Sequence, residues 1–162
     1  MRNVVWIIDS IERLLARNPL QPSGLFNFKP GGSIYTRAET LMDPEKGLVG
    51  LPWSLLRQAW FGDGASRLIL IRYEQLAQSP AQVLQRLYAE LGESPFPHDF
   101  ANVQFDEPDY DEQLGMPGLH RVRPSVEYRE RETCLPPDLF VKYADVNFWT
   151  NARLNIRKVP VI

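Results

Sequence analysis

Cys134 is the only cysteine in 162 residues, so no disulfide can close within the chain and a cysteine-based metal site is argued against. A lone thiol fits a reducing compartment, and the expected location is cytoplasmic. The chain also lacks a long apolar run. Val4-Val5-Trp6-Ile7-Ile8 is followed at once by Asp9, Glu12 and Arg13, too short and too soon charged for a signal peptide or a membrane span. It lacks an excess of positive charge as well. A formal net charge of -2 gives no whole-chain attraction for nucleic acid or anionic lipid, so neither is expected as a partner. A local phosphate pocket stays open, because a few arginines suffice. What remains is ordinary globular composition, 44% hydrophobic and 23% charged, enough for one domain with an apolar core.

Ile7, Ile8, Ile11, Leu14 and Leu15 recur at intervals of one, three and four, which predicts an amphipathic helix over Val4 to Arg17. Asn18-Pro19 stops it. Pro22 to Gly32 reads as loop, with Pro30-Gly31-Gly32 as its sharpest turn, and Ser33 to Asp43 is ambiguous. A second helix is predicted over about 44–61, with Leu48, Leu51, Leu55 and Trp60 facing the core. Leu68-Ile69-Leu70-Ile71 is a short unbroken apolar run and predicts a strand covered on both faces. The next helix is framed by Ser79 as N-cap, Pro80 at its first position, Gln82 completing a capping box, and Gly92 as its stop. Residues 95–118 are polar, and the acids from Asp106 to Glu112 read as a solvated loop. Pro136-Pro137 opens a final helical region reaching about Asn155. No internal repeat or low-complexity tract is present.

One buried parallel strand cannot satisfy its own backbone donors and acceptors. The expectation is that a neighbouring strand is missing from the chain or is supplied from outside, for instance by a second copy in a homodimer.

Two segments in the right order resemble the sulfotransferases that use 3′-phosphoadenosine 5′-phosphosulfate (PAPS), bacterial members among them. The first is Arg2-Asn3-Val4-Val5-Trp6-Ile7-Ile8-Asp9-Ser10, and the second is Arg67-Leu-Ile-Leu-Ile-Arg-Tyr-Glu-Gln-Leu76 with the Ser79-Pro80 helix closing at Leu91-Gly92. The resemblance implies that Arg2 and Ser10 bind the 3′-phosphate of the nucleotide and that Tyr73 contacts its adenine. Gln75 departs from the aspartate usual there. Gly118-Leu-His-Arg-Val-Arg-Pro-Ser-Val-Glu127 and Thr133-Cys-Leu-Pro-Pro-Asp-Leu-Phe140 are also similar to bacterial members, and a basic segment near this distance implies Arg121 or Arg123 as a cap on the 3′-phosphate. The implied ligands are PAPS and its product 3′-phosphoadenosine 5′-phosphate (PAP). The implied acceptor is a small molecule bearing a hydroxyl or an amine.

The implied fold is α/β, with 1–162 forming the C-terminal part of a P-loop-like three-layer parallel-sheet domain, mostly helical in this chain. The family's phosphosulfate loop and its lysine are not here, and no Gly-x-x-x-x-Gly-Lys-Ser/Thr loop occurs anywhere. Neither His98 nor His120 occupies the place of the family's general base. Met1 therefore falls in mid-structure, as in a fragment, a truncated frame or a misassigned start. The chain is expected to be inactive alone.

Each candidate has a plainer reading beside it. Arg2 lies next to a terminus, where arginines commonly just solvate. Ser10 in mid-helix can bond back to a carbonyl, and Tyr73 can be a core-edge aromatic. Arg121 and Arg123 can pair with the preceding acids or with Glu127. Trp6, Trp53, Trp60 and Trp149 read as core. Eight wholly helical steps would set the Cα atoms of Arg2 and Ser10 about 12 Å apart, so convergence on one phosphate needs a turn or an extended arginine. Two rivals stand against the enzyme reading. One is a non-catalytic helical interaction domain that covers the Leu68–Ile71 edge with a partner strand. The other is the later half of a nucleotide kinase, against which the lack of an arginine-rich lid speaks.

Overall fold

Asn3 starts the first helix by accepting the Val5 amide on its side chain at 3.1 Å, and α1 runs Val4–Arg17 as its periodicity predicts. In the computed structural model, which describes residues 1–18, 24–26 and 32–162, this helix is central. It buries Val4, Val5, Ile8 and Ile11 and packs against α2 (Ile34–Leu41) and α7 (Pro137–Ala144). Buried Asn147 ties two of these helices together. Its side-chain oxygen accepts the Val4 amide at 2.9 Å, and its amide nitrogen donates to the Ala144 carbonyl at 2.7 Å. One side chain thus satisfies an orphan donor at the start of α1 and an orphan acceptor at the end of α7.

The ambiguous stretch after residue 32 resolves as α2, capped by Ser33, whose hydroxyl accepts the Thr36 amide at 3.3 Å. The predicted loop from Pro22 to Gly32, with the Pro30-Gly31-Gly32 turn, lies outside the described residues except for 24–26 and 32. Helix α3 spans Gly50–Phe61 and starts later than the pattern suggests. The Asp43 carboxylate accepts the amides of Glu45 and Lys46, which holds 43–47 in a turn. That shifts the face: Leu48 and Leu55 are exposed and Val49 is buried instead, while Trp60 is buried as predicted. Phe148 centres the aromatic core, with rings of Trp53, Trp60, Phe61 and Trp149 around it.

The parallel-sheet expectation is overturned. The described residues are helical, without a strand or a sheet, and their β pairing is a single parallel bridge between Leu70 and Val161. The run 68–71 is flanked by its own chain on both sides. Leu70 donates to the Pro160 carbonyl and accepts from the Ile162 amide, at 2.9 and 2.8 Å, and Arg72 donates to Ile162 at 2.7 Å. On the other side, the Met1 amino group donates to the Ile71 carbonyl and Tyr73 donates to Met1 at 2.9 Å. These bonds satisfy both backbone groups of Leu70, the Ile71 carbonyl and the Arg72 amide without a second strand. The edge assigned to a partner is taken by the two ends of the chain.

Helix α4 (Tyr73–Gln78) follows directly, so Tyr73 opens a helix where a strand end was expected. Helix α5 (Pro80–Leu91) has its predicted limits, and Gly92 closes it at φ +69°. The capping box does not form. Ser79 also ends α4, donating its amide to Gln75, and its side chain caps nothing. Helix α6 (Pro108–Gln113) replaces part of the predicted polar loop. The last helical region breaks after Ala144 into short 3-10 turns at Phe148–Thr150 and Ala152–Leu154.

Candidate functional site

Arg2 and Ser10 meet. An Arg2 guanidinium nitrogen lies 3.2 Å from the Ser10 hydroxyl, because the chain turns at Asn3 and the arginine lies along the first turns of α1. A second guanidinium, from Arg131, donates to the same hydroxyl at 2.8 Å and to the Trp6 carbonyl at 3.2 Å. The Ser10 hydroxyl donates to the Trp6 carbonyl at 2.9 Å, so its one proton and both acceptor sites are used. The plainer reading of Ser10, bonding back to its own helix, therefore also holds, in the same side-chain position.

Beneath this pair lies Asp9, fully buried. One carboxylate oxygen accepts from Arg13 at 3.0 Å and Arg131 at 2.8 Å; the other accepts from the Cys134 amide at 2.7 Å and the Thr133 hydroxyl at 3.1 Å. Burial alone would raise the Asp9 pKa, but the Cys134 amide and thiol with Arg13 and Arg131 outweigh it and hold the carboxyl below its usual range. Desolvation pulls Arg131 below its ordinary value, Asp9 opposes, and the neighbouring charges of Arg2 and Arg13 add to the depression. Asp9 thus answers for Arg131 and Arg13. Arg2 forms no ion pair among the described residues and instead lies over the Tyr73 ring, 4.7 Å from its centroid.

Arg2, Tyr73 and Arg131 border an open cleft of about 290 Å³ whose lining also takes in Trp6, Glu74, Tyr128 and the rest of the Arg129–Arg131 segment, while Ser10 lines the groove on the other side of Arg131. Trp6 contributes a face that Arg131 overlies at 5.6 Å, and its ring meets Phe140 in a T-shaped contact. A mixture of guanidinium and aromatic surface suits a ligand with a flat ring and an anionic group. Arg129 is drawn off by an ion pair with Glu127.

Arg123 lies apart from Arg2 and Tyr73. It borders a neighbouring groove that also takes in Ser10 and Arg131, and it pairs with Glu127 at 3.7 Å, the plainer of its two expected partners. The cation that reaches the predicted phosphate position is Arg131. Sequence reasoning missed it and Trp6. A signal existed in Arg129-Glu130-Arg131-Glu132, whose alternation puts Arg129 and Arg131 on one side of an extended segment.

The acidic run holds another correction. Asp111 was expected to be solvated but is fully buried, accepting from the His120 amide at 3.0 Å and meeting the His120 ring Nδ1 at 2.6 Å. Burial would raise its pKa; the His120 backbone and ring outweigh that and hold it low. The pair clips 119–121 onto α6 and does not line the cleft.

No family model, curated protein or solved structure matches this chain. No group of three or more His, Cys, Asp or Glu side chains suited to a metal ion occurs among the described residues, and none of their helices is long and apolar enough to cross a membrane.

Proposed function

We propose that the cleft binds a 3′-phosphorylated adenine nucleotide, PAPS or PAP, and that the chain supplies the nucleotide-anchoring part of a sulfotransferase-type activity. In this reading Arg2, Ser10 and Arg131 hold the 3′-phosphate, and Tyr73 and Trp6 offer their faces to the adenine. The observation that carries the reading is the convergence of two guanidiniums on one hydroxyl while Asp9 is bonded to Arg131 and not to Arg2. Like charges brought together cost energy unless an anion joins them. A phosphate, with several acceptor oxygens, can take both forks where the hydroxyl offers one.

Bound PAPS would supply the activated sulfuryl group. The residues of this chain grip the far end of the nucleotide and fix its orientation, which is where positioning contributes to rate. Transfer also needs a base on the acceptor hydroxyl or amine. Arg2, Ser10 and Arg131 do not fill that role, so the chain alone binds nucleotide without turnover. The setting is the cytoplasm, in keeping with one unpaired cysteine.

Equilibrium binding of PAP against adenosine 5′-phosphate tests the reading, since the two differ in the 3′-phosphate. PAP should bind at least about tenfold tighter, the equivalent of one charge-assisted phosphate contact. Equal affinities would remove the 3′-phosphate from the account.

A further inference from the structure

On the far side of Arg131 a second groove, of about 250 Å³, runs along the C-terminal half of α1. Four of its lining side chains are arginines: Arg13, Arg17, Arg123 and Arg131. Ser10 and Leu119 are among the rest, and no carboxylate lines it among the described residues. In a chain of net charge -2, four guanidiniums on one concave surface is a concentration the composition does not predict.

Their neutralisation is incomplete. Arg13 and Arg131 share the single carboxylate of Asp9. Arg123 reaches Glu127 only at 3.7 Å, and Glu127 also holds Arg129. Arg17 forms no ion pair among the described residues. Four cations therefore face two carboxylates, one of them shared outside the groove. The carbonyl end of α1 near Arg17 adds about half a negative charge, which reduces the excess without cancelling it.

We infer that this groove is a second oxyanion subsite, taking a phosphate or sulfate group between Arg17, Arg123 and the outer side of Arg131. It is separate from the Arg2 cleft, since Arg131 forms the partition between the two. The groove stands whether or not the cleft takes a nucleotide, because none of its charge comes from Arg2 or Tyr73. The group it receives is either the second anionic end of a ligand lying across Arg131 or a separate sulfate- or phosphate-bearing molecule.

The test is a titration of the whole chain with sodium sulfate at constant ionic strength, followed by NMR of backbone amides and arginine Nε–H groups. Saturable shifts are expected at Ser10, Leu119, Arg17 and Arg123. The double variant Arg17→Ala/Arg123→Ala should weaken that binding about fivefold, the sum of two exposed charge contacts. Both side chains are exposed, so the variant should keep its melting temperature. Arg2→Ala, whose side chain lines the neighbouring cleft and reaches the groove only through the Ser10 hydroxyl, should keep the sulfate shifts at Arg17 and Arg123 while weakening PAP binding at least about tenfold. Saturating PAP supplies the last arm: shifts at Arg17 and Arg123 that preclude sulfate mean one ligand spans both sites, and undisturbed sulfate binding means two molecules. Shifts that rise linearly and equally with chloride, or a double variant that titrates like wild type, would overturn the subsite. Failure of PAP to bind alongside a saturable sulfate response would sink the nucleotide reading alone.

Discussion

Arg131 donates to the hydroxyl of Ser10 at 2.8 Å across 121 residues of sequence, and this contact locks the segment before Cys134 onto the first helix. Since Arg2 reaches the same oxygen, Ser10→Ala should leave two guanidiniums facing each other without their common acceptor. Both can rehydrate, so the cost in stability should be small, about 1 kcal/mol by urea unfolding. PAP affinity should fall about three- to tenfold by calorimetry. A variant that loses stability severely but not affinity would make Ser10 purely structural.

Asp9 carries the opposite pattern, structure first. Asp9→Asn keeps an acceptor for the Cys134 amide but removes the charge shared by Arg13 and Arg131, and should cost about 2 kcal/mol. The pH dependence follows from direction alone. Asp9 and Asp111 both have folded pKa values below the ordinary carboxylate value, so their contributions are complete above about pH 4 and are lost as pH falls through the folded values. Wild-type stability should therefore decline steeply on the acid side. Asp9→Asn should flatten that limb, measured as urea midpoint against pH between about 2 and 5; an unchanged slope would mean Asp9 is not held ionised.

Two glycines separate close approach from backbone hand. A Cβ on Gly50 would sit 2.2 Å from the Met42 carbonyl oxygen and 2.3 Å from its carbon, both main-chain atoms that cannot turn aside. Gly50→Ala should cost about 3 kcal/mol. Gly92 has φ +69° and open space around it, so Gly92→Ala should cost only about 1 kcal/mol, the left-handed penalty. Denaturant unfolding of the pair checks the ranking.

The Leu70 pairing predicts protection from exchange. The amides of Leu70 and Arg72 are bonded to the Pro160 and Ile162 carbonyls, and Ile162 is buried. Removing Pro160, Val161 and Ile162 should abolish that protection and lower stability by about 2 kcal/mol, chiefly from the lost burial of Ile162. If hydrogen exchange at both amides is fast in the intact chain, the two ends do not close the 68–71 segment.

Helix limits were legible where signals were local. Val4–Arg17 and Pro80–Leu91 follow from apolar spacing and from Asn18-Pro19 and Gly92. The setting of 68–71 was not legible, because an apolar run of four says that a segment is buried and not what lies beside it; the partners of Leu70, Pro160 and Ile162, come from far along the chain. The same distance problem hid half the site. Arg2 and Ser10 stand eight residues apart in one motif and could be paired by reading. Arg131 reaches them only through the fold, and Asp111, amid exposed acids, is set apart only by His120 folding back on it.

Calorimetric titration of PAP into the wild-type chain and into Arg2→Ala tests the central claim most directly. Saturable heat for wild type, and binding at least about tenfold weaker in the variant, is the predicted result. No heat with wild type, or equal affinity in the two, would contradict it.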